Sequence, residues 1–162
     1  GADADMLSHR LIENEIPVIY EHPFSVPLRR WEHYARKYTV PKKLYDAGVK
    51  FCISYSSSTF QAPHQRSLPY AAAMAISYGL PQAEGLRSIT LSAAEILGVQ
   101  NRVGSLEIGK DATLFVSNGD PLEMDSQVEI AFIKGKNIDL NDRHKILSDK
   151  YREKYLQLKI ID

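Results

Sequence analysis

Residue types that can move protons, hold metals or grip polar ligands gather in two short stretches of this chain. Glu21 and His22 follow the apolar run 16–20. Tyr55, Ser56, His64 and Arg66 lie in the polar stretch 55–67, just after the apolar run 49–54. Glu21, His22 and His64 together make a donor set that suits zinc, and a histidine or glutamate can serve as a general base near neutral pH. Each also has a plainer use, as a loop residue bonded to solvent, to a cap or to backbone carbonyls. His9, His33 and His144 fall on expected helix faces as surface or interface residues. Trp31, Tyr34 and Tyr38 read as core. Arg29-Arg30 and Lys42-Lys43 read as solvated charge. Lys110 reads as a turn residue rather than a Schiff-base lysine, because nothing near it in sequence would desolvate it.

The elements that must position these groups follow from patterning. Residues 3–14 read as a helix, with Asp3 or Asp5 as cap and Leu7 and Leu11 on one stripe. The run 16–20 is of buried-strand type, with Pro17 at its start, where no ladder donor is needed. Residues 28–38 carry aromatic and small residues at three- and four-residue spacing and predict an amphipathic helix. Pro41 then opens another helix, which Gly48 ends, and 49–54 is a second buried strand. After the polar loop, helices are expected from Pro69 to Gly79 and from Pro81 to about Ile89. Ser92 and Glu95 have the capping-box spacing of a two-turn helix ending at Gly98.

Gly104 and Gly109 bracket a short extended piece, and residues 112–116 form a strand of buried type stopped by Asn118-Gly-Asp-Pro121. Residues 128–134 and 138–140 read as a hairpin turning at Gly135-Lys136. Asn141 or Asp142 caps a final helix with Ile146, Leu147, Tyr151, Tyr155 and Leu158 on one side. That helix is expected to dock through Tyr151 and Tyr155.

Composition narrows the classes. The 162 residues can bury one core. Twenty Lys and Arg balance twenty Asp and Glu, which gives no reason to expect nucleic acid or an anionic membrane as partner. No apolar run approaches a membrane span. The lone Cys52 can make no intrachain disulfide and reads as a small buried hydrophobe. It does not decide the compartment, so cytoplasmic and periplasmic placements both stay open. The opening Gly-Ala-Asp reads as an internal position of a longer protein.

One stretch carries a resemblance. Gly104-Ser-Leu-Glu-Ile-Gly-Lys-Asp-Ala112, a hydrophobic strand, then Gly119-Asp-Pro-Leu122 resembles the C-terminal signature of the metal-dependent amidohydrolase superfamily. Ile16-Pro-Val-Ile19, Ala47-Gly-Val-Lys-Phe51, Leu68-Pro-Tyr70, Tyr78-Gly-Leu80 and Ile96-Leu-Gly98 extend the likeness, which is nearest to the imidazolonepropionase-like branch. It implies an α/β fold: the last quarter of a (β/α)8 TIM-like barrel plus part of a small composite β-sandwich domain. Residues 1–100 would hold barrel strands seven (16–20) and eight (49–54) with their helices. Residues 101–141 would be sandwich strands, and 142–162 a C-terminal helix packing back on the barrel.

The resemblance also implies a chemistry. Such enzymes hydrolyse C–N bonds with metal-activated water. A divalent metal such as zinc is held by a His-x-His pair and further residues that would lie upstream of this chain, so no metal or catalytic residue is assigned here. In a barrel the site lies at the C-terminal strand ends, which makes Glu21, His22, Tyr55, Ser56, His64 and Arg66 the substrate-facing candidates. The family's strand-eight Asp has no counterpart: Tyr55-Ser-Ser-Ser-Thr59 stands there, and no carboxylate occurs between Asp46 and Glu84. Two readings follow. The chain is the C-terminal part of a hydrolase acting on non-peptide or dipeptide-like C–N bonds, inactive alone, or it comes from a non-catalytic scaffold or ligand-binding member.

Two parallel strands are too few for a stable sheet. The missing barrel strands are therefore expected from the rest of the protein or another chain, with a homo-oligomer as the expected state. The alternative is a small α/β layer that folds alone.

Overall fold

The computed structural model describes residues 3–21, 24–55, 58–60 and 62–161. A 3-10 turn, Ala4–Leu7, runs into α1, Ser8–Glu13. Strand β1, Val18–Glu21, is joined through irregular turns to α2, Arg36–Asp46, and then to β2, Phe51–Ser54. A second 3-10 segment, Ala62–Ser67, precedes α3, Leu68–Ser77. Helices α4, Gln82–Ile89, and α5, Leu91–Ile96, follow. The chain ends in β3, Leu114–Ser117, β4, Val128–Ile133, β5, Lys136–Asn137, and α6, Arg143–Gln157.

Strands β1 and β2 pair in parallel, Val18 opposite Phe51 and Glu21 opposite Ser54. Antiparallel β3–β4–β5 forms a separate sheet. The core lies on one face of the parallel pair. Val18, Tyr20, Phe51 and Ile53 pack with Val40 and Leu44 of α2, Ala71 and Ala75 of α3, and Leu80. The three alanine-rich turns of α3 let its backbone sit close to this layer, and Gly85 of α4 does the same from the other side. A Cβ there would come within 2.4 Å of Ile76 Cδ1.

The segment 28–38 departs from expectation. It is a series of turns rather than a helix until Arg36. Glu32 folds back as a local cap, its carboxylate accepting the backbone N–H groups of Leu28 at 3.1 Å and Arg29 at 3.3 Å. The aromatic spacing therefore packs little: Trp31 is 82% and Tyr34 69% exposed, Tyr34 meets the adjacent His33 ring, and Tyr38 stacks on Tyr78.

Pro41 lies inside α2 instead of opening it. With no N–H it cannot bond the Lys37 carbonyl one turn back. The Tyr20 hydroxyl supplies that bond, donating to Lys37 O at 2.7 Å. A buried strand side chain thus completes a helix that its own sequence interrupts.

Asp3 and Asp5 do not cap the first helix. They pair instead with Arg29, expected in solvent, and with Arg36. Arg29 reaches Asp3 at 2.7 Å, and Arg36 reaches Asp5 at 2.9 Å. The Arg29 hydrogen bond holds the Asp3 carboxyl below its ordinary pKa. Desolvation pushes Glu32 up, but bonds from Arg29 and Leu28 outweigh it and hold that carboxyl low as well. Groups lowered in this way add stability that is present above the ordinary carboxylate range and lost as pH falls through it. Likewise Lys42 pairs with Asp46.

Further along, the capping box is not made. Thr90 precedes α5 without a side-chain cap bond, Ser92 is buried, and Glu95 turns to Arg87 at 2.8 Å and Lys50 at 3.0 Å. Gly104 and Gly109 take φ of 100° and 95° as the signature requires. The piece between them joins no strand, and the Arg102–Asp111 ion pair at 2.8 Å closes the loop. The hairpin forms one residue earlier than expected, turning at Lys134 and Gly135 with φ of 50° and 76°, both positive as a type I′ turn demands. Its second strand is therefore Lys136–Asn137, and residues 138–140 are not a strand.

Strand β3 is half-exposed rather than buried. Asp142 caps α6 by accepting from the His144 and Lys145 N–H groups. Instead of packing back on the rest of the fold, α6 is uncovered, with Tyr151 49% and Tyr155 40% exposed.

Two outcomes test this architecture. Tyr20→Phe orphans a buried carbonyl and should cost about 1–3 kcal/mol in urea melts near neutral pH. Burial raises the Tyr20 pKa above its usual 10.0, so the folded state holds its phenol proton in place. The stability tied to that proton is present below pH 10 and is lost as pH rises beyond it. The gap between wild type and Tyr20→Phe should therefore narrow in melts at about pH 11; a gap independent of pH would contradict it. At Gly104, a Cβ would come within 2.6 Å of Ala94 Cβ and 3.1 Å of Leu91 Cα, at positive φ. Gly104→Ala should lower stability by about 2 kcal/mol or more, and a loss under about 0.5 kcal/mol would show that the turn tolerates a side chain.

Candidate functional site

Successive residues of a strand point to opposite faces, which sorts the candidates. Val18 and Tyr20 of β1 belong to the core cluster with their partners Phe51 and Ile53. The other face carries Ile19 and Glu21, both exposed, opposite Cys52 and Ser54. Glu21 therefore stands at the C-terminal end of the sheet on the face away from the helices, with Ser54 as its register partner. Cys52 is buried as expected, and burial raises its thiol pKa. It is chemically inert in that state.

Tyr55 goes the other way from Glu21. It is partly buried and packs against the helix-side core, which raises its phenol pKa, so it supports the sheet from behind. The Ser54 hydroxyl donates to the Tyr55 carbonyl at 3.0 Å. His64 and Arg66 sit in the 3-10 segment Ala62–Ser67, both exposed. Neither side chain has a hydrogen bond or ion pair among the described residues. His22 and Ser56 lie outside the described residues.

Ser54 was missed by sequence reasoning. The signal for it existed in the two-residue period: once Tyr20 is core, Glu21 is on the open face, and parallel register places Ser54 beside it.

Among the described residues no three His, Cys, Asp or Glu side chains come together as a metal site. At the strand ends the described oxygen donors are one carboxylate, Glu21, and the Ser54 hydroxyl on the same face. One carboxylate with a neutral hydroxyl is too weak a set for zinc, which takes several imidazole, thiolate or carboxylate ligands. These residues therefore do not by themselves fit the divalent metal that the fold implies. What Glu21 can do is accept hydrogen bonds, or take a proton, at the mouth of the sheet.

A cavity of about 310 Å³ lies at the opposite, N-terminal end of β2, between Tyr45, Phe51, Glu84 and Arg87. Three of its charges, Lys50, Arg87 and Glu95, satisfy one another. Glu95 accepts from Lys50 and Arg87, and the Lys50 bond is the largest cause holding its carboxyl low. Lys110 in the signature turn is likewise engaged, by Ser105 and Glu107, as a turn residue should be.

The sequence pattern of the amidohydrolase family matches residues 3–140. An amidohydrolase, tasK, of Hapsidospora irregularis is 33% identical over 91 residues, covering 56% of this chain and 9% of that protein. An imidazolonepropionase of Bdellovibrio bacteriovorus is 30% identical over 114 residues, covering 63% of this chain and 25% of the relative. The crystal structure of an amidohydrolase from Thermotoga maritima superposes with a TM-score of 0.68 at 32% identity, over 86% of this chain and 35% of its own. A prolidase solved with N-methylphosphonate-L-proline superposes at a TM-score of 0.51 and 26% identity, over 65% of this chain and 27% of its own. This chain therefore spans a quarter or less of these two curated relatives. The family match covers residues 3–140, most of the chain, and on that ground this chain belongs to the amidohydrolase family.

Proposed function

We propose that this chain is the C-terminal part of an amidohydrolase-like hydrolase that cleaves non-peptide or dipeptide-like C–N bonds, and that it is inactive alone. The observation that carries this reading is the parallel pair β1–β2. It presents Glu21 and Ser54 at its C-terminal end, and each strand has only one partner among the described residues. Parallel strands are stable in larger sheets covered on both faces, so further strands on either side would complete a barrel whose site opens at Glu21. On this reading β1 and β2 are the seventh and eighth barrel strands, and β3–β5 belong to the accompanying sandwich. The partner is the remainder of a barrel, from the rest of a longer protein or from another chain. The prolidase among the structural neighbours supports dipeptide-like substrates as one class.

In such a barrel Glu21 would accept a hydrogen bond from the substrate or hold a proton at its carboxylate. Tyr55 would support the strand end from the core. Histidines outside this chain would hold the divalent metal, since the strand-end donors here do not suffice. The missing strand-eight carboxylate favours a second reading, a non-catalytic relative that keeps the fold as a scaffold or ligand-binding protein.

Two measurements test these readings, and the second separates them. The 162-residue chain, incubated with zinc or manganese and an X-Pro dipeptide or imidazolone propionate, should release no product above background and retain no stoichiometric metal after dialysis. Metal-dependent product from this chain alone would place the chemistry within it. A longer protein carrying upstream histidines should bind metal stoichiometrically and turn over, and there Glu21→Gln should lower kcat/KM by about tenfold or more. Unchanged kinetics would show Glu21 to be only a solvated strand end, and a longer protein that neither binds metal nor turns over would establish the non-catalytic reading.

A further inference from the structure

Glu21 is the one carboxylate held by β1, β2 and the loop after β2, since no Asp or Glu occurs between Asp46 and Glu84. Most other acids packed around this layer have partners. Asp3 meets Arg29, Asp5 and Glu32 meet Arg36, and Glu95 meets Lys50 and Arg87. No basic group of this chain is brought to Glu21 among the described residues.

Parallel register puts Ser54 beside Glu21, and the hydrogen of its hydroxyl is already committed. It is donated to the Tyr55 carbonyl at 3.0 Å. What Ser54 then offers a further group is its oxygen lone pairs. An ionised carboxylate likewise only accepts. Two neighbouring strand ends therefore present two acceptors, no free donor and a single negative charge.

Such a pair selects a cationic donor, and its geometry narrows which. The set is too weak for zinc. A guanidinium is a planar fork that matches the two oxygens of one carboxylate. A primary ammonium is a compact charge with three donors, which it directs at separate acceptors. Neighbouring strands lie about 4.8 Å apart. An ammonium bonded at about 2.8 Å along two tetrahedral directions spans about 4.6 Å. One ammonium therefore bridges the pair, with Glu21 matching its charge.

We propose that Glu21 and Ser54 hold the free primary ammonium of the substrate. The site then takes aminoacyl compounds, such as dipeptides with an unblocked amino end, in preference to neutral or acidic cyclic amides. This rests on the reading that β1 and β2 belong to a hydrolase barrel whose site opens at Glu21. Within that reading it separates the two substrate classes left open above, and it explains why a lone carboxylate stands at these strand ends: one positive charge has to be matched.

The test compares three compounds on a longer protein carrying the upstream histidines: alanyl-proline, propionyl-proline, which differs by lacking the amine, and imidazolone propionate. At pH 7 kcat/KM should favour alanyl-proline over propionyl-proline by about tenfold or more, the range of a charged hydrogen bond. Glu21→Gln, which keeps the shape and removes the charge, should erase most of that ratio, and Ser54→Ala should shrink it several-fold. The ratio should also fall as pH rises past about 8, where an α-amino group loses its proton. Turnover with no preference for the amine, a preference for imidazolone propionate, or a ratio that neither Glu21→Gln nor high pH reduces overturns this inference and leaves the hydrolase reading standing. A longer protein with no turnover overturns the hydrolase reading instead. Calorimetry with the same compounds then decides the ammonium site by itself: alanyl-proline binding no tighter than propionyl-proline overturns it, and tighter binding lost in Glu21→Gln supports it.

Discussion

The hydrogen bond from Tyr20 to the Lys37 carbonyl is the constraint on which the barrel-like layer depends. Pro41 in α2 leaves that carbonyl without its helical donor, and a buried carbonyl without a partner is costly. The tyrosine answers from the neighbouring strand, at 1% exposure and with its hydroxyl fully used. The same contact fixes which way β1 faces. With Tyr20 committed to α2, Val18 joins it in the core, and Ile19 and Glu21 must turn to the other side. Parallel register carries the assignment to β2, where Phe51 and Ile53 go inward and Ser54 joins Glu21. The orientation of the candidate site thus follows from the repair of a proline-interrupted helix.

Electrostatics secures the edge of this layer. Arg36 begins α2 and reaches Asp5 of the first 3-10 turn and Asp3 just before it, while Arg29 joins Asp3 and Glu32. These pairs hold the irregular segment 28–35 in place without a helix, and they take up acids that would otherwise have been caps. Asp5 and Glu32 have side chains only 5% and 8% exposed, so their charges are matched where water is scarce.

Much of the fold was legible from local chemistry. Both parallel strands, the glycines at positive φ that end helices or open the signature turns, the β4–β5 hairpin and the Asp142 cap follow from side-chain period and backbone freedom, which act within a few residues. The family resemblance rested on the same kind of signal and is sustained. The failures have other causes. The caps at Asp3 and Asp5 and the capping box at Ser92 and Glu95 lost to partners outside their own helices, and the helix over 28–38 lost to the local cap that Glu32 makes. Glu95, for example, serves Arg87 and Lys50 instead of its own helix. Among the site candidates, Glu21 lies on the open face, Tyr55 does not, and Ser54 enters from register alone.

By itself the sequence determined the α/β class, the order of most elements, the amidohydrolase likeness and the absence of a carboxylate after β2, because these depend on residue identity and short-range periodicity. Only the tertiary structure decided which face each strand residue takes, which acids meet which arginines, and that α6 and the second sheet stand uncovered. Those outcomes turn on contacts between residues tens of positions apart, where a single hydroxyl or guanidinium settles what spacing leaves open.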